Sequence, residues 1–396
     1  VADFPQTIYT MHRQNIADLF REKFEAEPLV VRSPGRINLI GEHTDYNQGF
    51  VLPAAIDKAI YVAVQKRNDD RLSLYAVDFE EVYEVALSDV APQKTWATYP
   101  LGVVHQLQTR GYSIGGFNMV IDGDVPVGAG LSSSAAVECA VVFALDALFN
   151  LGISKMDMAL MAQQAEHRFS GVMCGIMDMF ASLFGKKDHA IQLDCRSLEY
   201  AYKPLLLGDY KLVLFNTNVK HALASSAYNE RRQQCEQGVA WVRAHHPEVG
   251  SLRDVTPAML AQYVQPKDAL IYTRCKFVVD EIERLQAACA YLEAGNIAAL
   301  GAKMFETHDG LSQQYAVSCP ELDFLVEAVR HNPAVLGARM MGGGFGGCTL
   351  NIVPQDAIEP LAHELAASYK TQMRLDLGII EVATADGTGL VTNPLG

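Results

Sequence analysis

Residues 126–149 read PVGAGLSSSAAVECAVVFALDALF. Gly128 and Gly130 open backbone conformations closed to other residues and let the chain approach a ligand closely. Ser132, Ser133 and Ser134 stand at the head of a long apolar run that reads as a helix. Hydroxyls and the free N–H groups of a first helical turn then point into one space, where the helix dipole favours negative charge. An ordinary N-cap needs one serine, not three. The segment therefore reads as a phosphate loop opening a buried helix. It is not a Walker loop, because GxxxxGK[ST] occurs nowhere in the chain, and the protein-kinase HRD and DFG set is missing too.

Upstream of this loop, a strand is expected over 115–121 and a helix over 98–108. Strand character runs through 72–87 and through 49–66, with a first strand at 29–32 and a short amphipathic helix at 16–24. Downstream, helices are expected over 155–169 and 225–244, and strands over 190–194 and 210–216. Residues 252–332 read mostly as helices, 360–375 as another, and 378–384 as a last strand. Strands and helices mix without strict βαβ alternation, so the fold class expected is α+β.

With 396 residues the chain exceeds one ordinary core. Two domains are expected, over 1–200 and 201–396, although composition does not shift sharply between them. Net charge is −14, which repels phosphate backbones and argues against nucleic acid as a partner. None of the eight cysteines forms a CxxC pair, and several lie in apolar runs, the pattern of buried free thiols. The first residues lack a basic segment followed by an apolar run, and the apolar stretch 135–149 is too short to span a membrane. A cytoplasmic location, with no membrane partner, is the expectation.

Three more stretches carry chemistry. Residues 34–49, PGRINLIGEHTDYNQG, put Arg36, Glu42, His43 and Asp45 within ten residues, with Ile37, Leu39 and Ile40 among them. That is a polar cluster on an apolar frame. Residues 165–180, AEHRFSGVMCGIMDMF, carry Glu166 near one end and Asp178 near the other. Asp178 stands among apolar neighbours, where a carboxylate is either paired, capping a helix, or used. Residues 341–348, MGGGFGGC, pack five glycines into six positions, beyond what a turn needs. They lead into a strand-like CTLNIV rather than a helix, so the formal GxGxxG there is no dinucleotide loop; close approach to a ligand, or a lid, fits better. Hydroxyl-reading carboxylates, a phosphate loop, a cation and hard oxygen ligands are the parts of a kinase acting on a polyhydroxylated small molecule.

At these residues the chain resembles the GHMP small-molecule kinases, and within them the galactokinase family. PGRINLIGEHTDYNQGFVLP, PVGAGLSSSAA, CGIMD, GKKDHAIQLDCRSLEY, SSAYNERRQQCE and MGGGFGGC follow the family's order over most of the chain. GEHTDYNQG is the most specific of these. The resemblance implies a two-lobed fold, with a ribosomal-protein-S5-like N-terminal domain and a ferredoxin-like C-terminal domain. The sugar-reading segment would cover 28–58, the ATP loop 126–136 and the glycine motif 342–348. It implies phosphorylation of the anomeric hydroxyl of D-galactose by ATP with Mg²⁺, in a protein expected to be a monomer. Asp178 would be the base, or an electrostatic orienter, and Arg36 would meet the transferring phosphoryl. Glu42, His43, Thr44, Asp45, Gly175 and Tyr228 would contact the sugar. Gly128, Ala129, Gly130, Leu131, Ser132, Ser133 and Ser134 would wrap the nucleotide phosphates, and Ser134 and Glu166 would hold Mg²⁺.

Three departures stand out. Met179 follows Asp178 where the family usually has Gln, Met340-Met341 replaces the usual Met-Thr, and the 307–318 stretch lacks a usual Arg. The competing expectations are a kinase for N-acetylgalactosamine or another galactose analogue, and a non-catalytic galactose and ATP sensor. The intact LSSSAA, Arg36 and Asp178 favour an enzyme.

Overall fold

The computed structural model describes residues 15–126, 128–220 and 224–391. Val127, inside the expected ATP loop, lies outside the described residues. The first sheet has six strands in the order Gly389–Leu390, Leu29–Asn38, Pro53–Lys66, Phe117–Gly123, Arg71–Ala76, Glu81–Ala86. All neighbours are antiparallel except Arg71–Ala76 on Phe117–Gly123. The first long strand does not stop at Arg32 as its sequence suggests. It continues to Asn38, with a register shift between Pro34 and Arg36. Proline cannot donate to the ladder, and a bulge absorbs it while re-aiming the next side chain. That next side chain is Arg36.

The helix Ser133–Phe149 lies across the Leu29–Asn38 and Pro53–Lys66 strands. Ala135, Ala136, Cys139, Ala140, Val141, Val142, Ala144 and Leu145 are all buried, which explains a run apolar around most of its girth. Ile37, Leu39 and Ile40 are fully buried in the same core and anchor the 34–49 segment. The helix expected over 155–169 is α-helical only to Ala165. A π-turn, Glu166–Ser170, follows and ends at Gly171 with φ of 75°. π-turns often mark functional sites, because the extra residue re-aims one side chain. Here that residue stretch begins with Glu166.

A second sheet is wholly antiparallel: Gly337–Met340, Gly346–Pro354, Tyr210–Lys220 and Gly378–Val382. The helices Pro320–Arg330 and Ile358–Met373 share its apolar core. Three short strands, Phe50–Val51, His189–Asp194 and Tyr200–Pro204, form a third sheet. Between 252 and 332 the chain is mainly helical, dominated by Ala269–Glu293. After the second sheet, Gly389–Leu390 returns to pair with Leu29–Asn38. All eight cysteines are free, six of them buried. No described helix is long and apolar enough to cross a membrane.

Candidate active site

The phosphate loop, the bulged strand and the segment around Asp178 converge on one point. Arg36 Nε donates to Asp178 Oδ1 at 2.8 Å, and its Nη1 donates to the Gly130 carbonyl. Ser132 Oγ donates to Asp178 Oδ2 at 2.5 Å. Ser132 is the N-cap of the long helix at φ of 59°, with no side-chain cap bond. Its hydroxyl therefore serves the carboxylate rather than the helix, unlike the simple picture of three serines aimed at phosphate. Both oxygens of Asp178 are engaged, but a carboxylate has about four lone-pair sites, so it retains capacity to accept another donor. Burial opposes the Arg36 charge; Asp178 and Glu42 outweigh it and raise its pKa.

Arg36 and Asp178 line a cleft of about 270 Å³ together with Glu42, His43, Asp45, Ser134, Glu166, Gly175, Tyr228 and the glycines 342–344. Sites for drug-sized ligands usually occupy roughly 300–1,000 Å³, so this cleft suits a small ligand. Thr44 is different. It is fully buried, and its hydroxyl donates to the carbonyls of Gly41 (2.8 Å) and Phe50 (2.5 Å), holding the turn.

Asp45 is buried with its Oδ1 accepting from the Tyr46 amide at 2.9 Å. Burial, reinforced by Asp178, pushes its pKa up to about 7. A Cβ on Gly175 would lie 1.9 Å from Asp45 Oδ2, so only glycine fits there. His43 sits at φ of 63°, a conformation uncommon for a residue with a Cβ. Asn47 Nδ2 holds it by donating to the His43 carbonyl at 2.9 Å. Burial, with Arg231 and Arg339 nearby, lowers the His43 pKa to about 3, so the ring is neutral. Tyr228 packs on His43 with ring centroids 5.2 Å apart.

Glu42 is not a free carboxylate. Its Oε1 lies 2.7 Å from Arg339 Nη2 and accepts from the Gly342 amide at 2.8 Å, with both side chains out of solvent. Arg339 also donates to the Asn38 carbonyl. Sequence reading missed Arg339, although a lone arginine in the buried strand GARM just before the glycine motif was a usable signal. The glycine motif itself is a packing device. A Cβ on Gly344 would meet the Val317 carbonyl at 2.1 Å, and one on Gly347 would meet Ala129 at 3.2 Å. The motif thus closes against the phosphate loop backbone to backbone.

Ser134 and Glu166 face each other across the cleft wall. Glu166 accepts from Ser170 Oγ at 3.1 Å, and the Ser134 and Glu138 side chains lie beside it. Burial raises its pKa, and burial plus Glu166 pushes Glu138 well above the usual carboxylate range. Glu138 was a second miss: an acid in an apolar helix, four residues after Ser134 and so on the same face. Both Glu138 oxygens are buried with no hydrogen-bond partner, so beside Glu166 and the Ser134 hydroxyl they complete a hard-oxygen donor set that fits a divalent cation.

A bulged arginine on a carboxylate, a glycine–serine loop at a helix start and a second glycine loop closing on it define a GHMP-type small-molecule kinase. Residues 98–186 match the GHMP kinases N terminal domain and 288–371 the GHMP kinases C terminal domain. Residues 18–66 match the galactokinase galactose-binding signature. A galactokinase of Roseiflexus sp. is 40% identical over 95% of this chain and 96% of its own. One from Thermotoga petrophila is 39% identical over 90% of this chain and 98% of its own. The crystal structure of Lactococcus lactis galactokinase complexed with galactose superposes with a TM-score of 0.91 at 34% identity, covering 95% of this chain and 99% of that one. Methanococcus jannaschii mevalonate kinase shares the fold, with a TM-score of 0.62 at 17% identity. The chain belongs to the galactokinase family, and it is an ATP-dependent sugar kinase.

Proposed function

We propose that D-galactose binds in the cleft with its anomeric hydroxyl at Asp178, and that ATP lies along residues 126–136 with its γ-phosphoryl at Arg36. The observation that carries this reading is the direct wiring of the two sites: Arg36 bridges Asp178 and the Gly130 carbonyl, and Ser132 holds the other carboxylate oxygen. A carboxylate fixed on two sides orients a hydroxyl in line with the phosphoryl without reorganising during the reaction. The sugar oxygen attacks phosphorus, the bond to the β–γ bridging oxygen breaks, and the hydroxyl proton passes to Asp178. Galactose 1-phosphate and ADP result. Arg36, its pKa raised, keeps its charge at the position where the equatorial oxygens gather theirs.

Asp45 and His43 are the hydroxyl readers, with Tyr228 and Gly175 shaping the wall. Glu42 acts through Arg339 and Gly342 to hold the cleft, and presents at most its second oxygen. Ser134 and Glu166 would hold Mg²⁺, which supplies charge neutralisation at the phosphates. The enzyme would act as a cytoplasmic monomer, its substrates meeting where residues 1–200 face 201–396. Coupled ATP consumption with galactose, 2-deoxygalactose, glucose, galactosamine, N-acetylgalactosamine and galacturonate tests the assignment. Turnover restricted to galactose and small C2 variants supports it. Galactose binding without turnover would instead favour a sensor.

A further inference from the structure

His43 does not stand alone. Its Nδ1 is 2.7 Å from Tyr46 Oη, Tyr46 Oη is 2.8 Å from Tyr315 Oη, and Tyr315 Oη is 3.2 Å from Cys235 Sγ. This chain of four polar groups runs from the cleft into the core formed by the 235–322 region. Tyr315 is fully buried, and Cys235 nearly so. The backbone of Tyr315 is clamped as well: Arg231 Nε donates to its carbonyl at 2.8 Å, and Arg231 Nη2 to that of Ala316 at 3.0 Å. Two rings brace the imidazole, with Tyr315 at 4.9 Å and Tyr46 edge-on at 5.8 Å. Nothing in the reaction derived above uses Tyr46, Tyr315 or Cys235.

A neutral imidazole has one N–H donor and one acceptor nitrogen, and the partner of one nitrogen decides the role of the other. Each phenol has a single proton to give. We propose that Tyr315 and Tyr46 are positioning residues that fix His43 with its proton on Nε2, so that it offers a donor to a sugar oxygen. The order of donation is thiol to Tyr315, Tyr315 to Tyr46, and Tyr46 to Nδ1. Nε2 agrees with this order: it is buried and meets no hydrogen-bond partner in the protein, so its proton is unspent and free for a ligand. The relay matters because a hydroxyl reader of unfixed tautomer would be half donor and half acceptor toward the same sugar oxygen. The inference rests on His43 being a hydroxyl reader, so the test separates the two ideas.

The variants are Tyr315→Phe and Tyr46→Phe, which keep the ring shape and remove one hydroxyl each. In the ligand-free protein, long-range ¹H–¹⁵N correlation spectra of His43 should show one Nε2–H tautomer in the wild type and a mixture in both variants. KM for galactose should rise about tenfold in each with a smaller change in kcat. The double variant should be no worse than Tyr46→Phe alone, because the nearer link is already cut. Unchanged imidazole nitrogens in both variants would overturn the relay, as would an Nδ1–H tautomer in the wild type. If the tautomer shifts but galactose affinity does not, the relay stands as a positioning device for the ring and the hydroxyl-reading role of His43 fails.

Discussion

Replacing Arg339 with Met tests whether the cleft is held from behind. Arg339 is fully buried, its partner Glu42 is 2% exposed, and their closest nitrogen–oxygen distance is 2.7 Å. The substitution removes the contacting charge partner of Glu42 and the donor to the Asn38 carbonyl, leaving the Gly342 amide as that carboxylate's hydrogen bond and Arg36 as the nearby positive charge. Breaking a buried pair on one side costs roughly 3–5 kcal/mol, because the remaining charge keeps its desolvation penalty without compensation. Removing both partners is far milder, since two apolar side chains of similar volume replace the pair. Arg339→Met should therefore lose about 3–5 kcal/mol in urea unfolding, and Arg339→Met with Glu42→Met should recover a large part of that loss. Galactose KM should rise in the single variant, since Glu42 ties the 34–49 segment to the glycine motif. A single variant within about 1 kcal/mol of wild type, or a double variant whose loss is the sum of the two singles, would refute the reasoning.

Further expectations concern the reacting groups. Asp178→Ala should cut kcat by roughly 10²–10⁴ while calorimetry still detects galactose, separating chemistry from binding. Asp45 is one pH-sensitive group, alongside Glu138 and Glu166: its carboxyl holds a proton up to about 7 in the fold but only to about 3.8 when unfolded. The native state then binds more protons between those values, so stability falls as pH rises through that window. Asp45→Asn should gain on the wild type across it, by an amount of a few kcal/mol at about 1.4 per unit, and thermal melts from pH 4 to 8 would show the two curves diverging. Gly175→Ala puts a methyl 1.9 Å from Asp45 Oδ2. It should weaken galactose at least about tenfold by displacing that carboxylate, with nucleotide affinity, read by fluorescence titration, unchanged.

Much of the site was legible in the residues themselves. Glycines beside three serines at the head of an apolar run define a loop and a helix wherever they stand, because backbone freedom and burial are local properties. Ile37, Leu39 and Ile40 declared their core role by being apolar among charges. Arg36, Glu166 and Asp178 could each be singled out from type and neighbours, whereas the roles of Ser134 and Glu166 as metal ligands came from the family resemblance. The strand end was misjudged at Arg32 because Pro34 and Gly35 resemble a loop, whereas pairing with Pro53–Lys66 carries the ladder past them as a bulge.

What the tertiary structure decided is which charge meets which. Arg36 and Asp178 stand 142 positions apart and Glu42 and Arg339 nearly three hundred, and no period or spacing links such partners. Glu42 looked like a sugar ligand and is largely spent on a buried arginine. Ser132 was expected to wrap phosphate, and its hydroxyl serves the Asp178 carboxylate instead. The 341–348 glycines suggested a ligand contact, and at least part of their purpose is to let two loops touch. Residue type fixes what a side chain can do and whether it belongs in water. The partner it does it with is set by long-range packing, through contacts whose energy depends on distance and burial rather than on place in the chain.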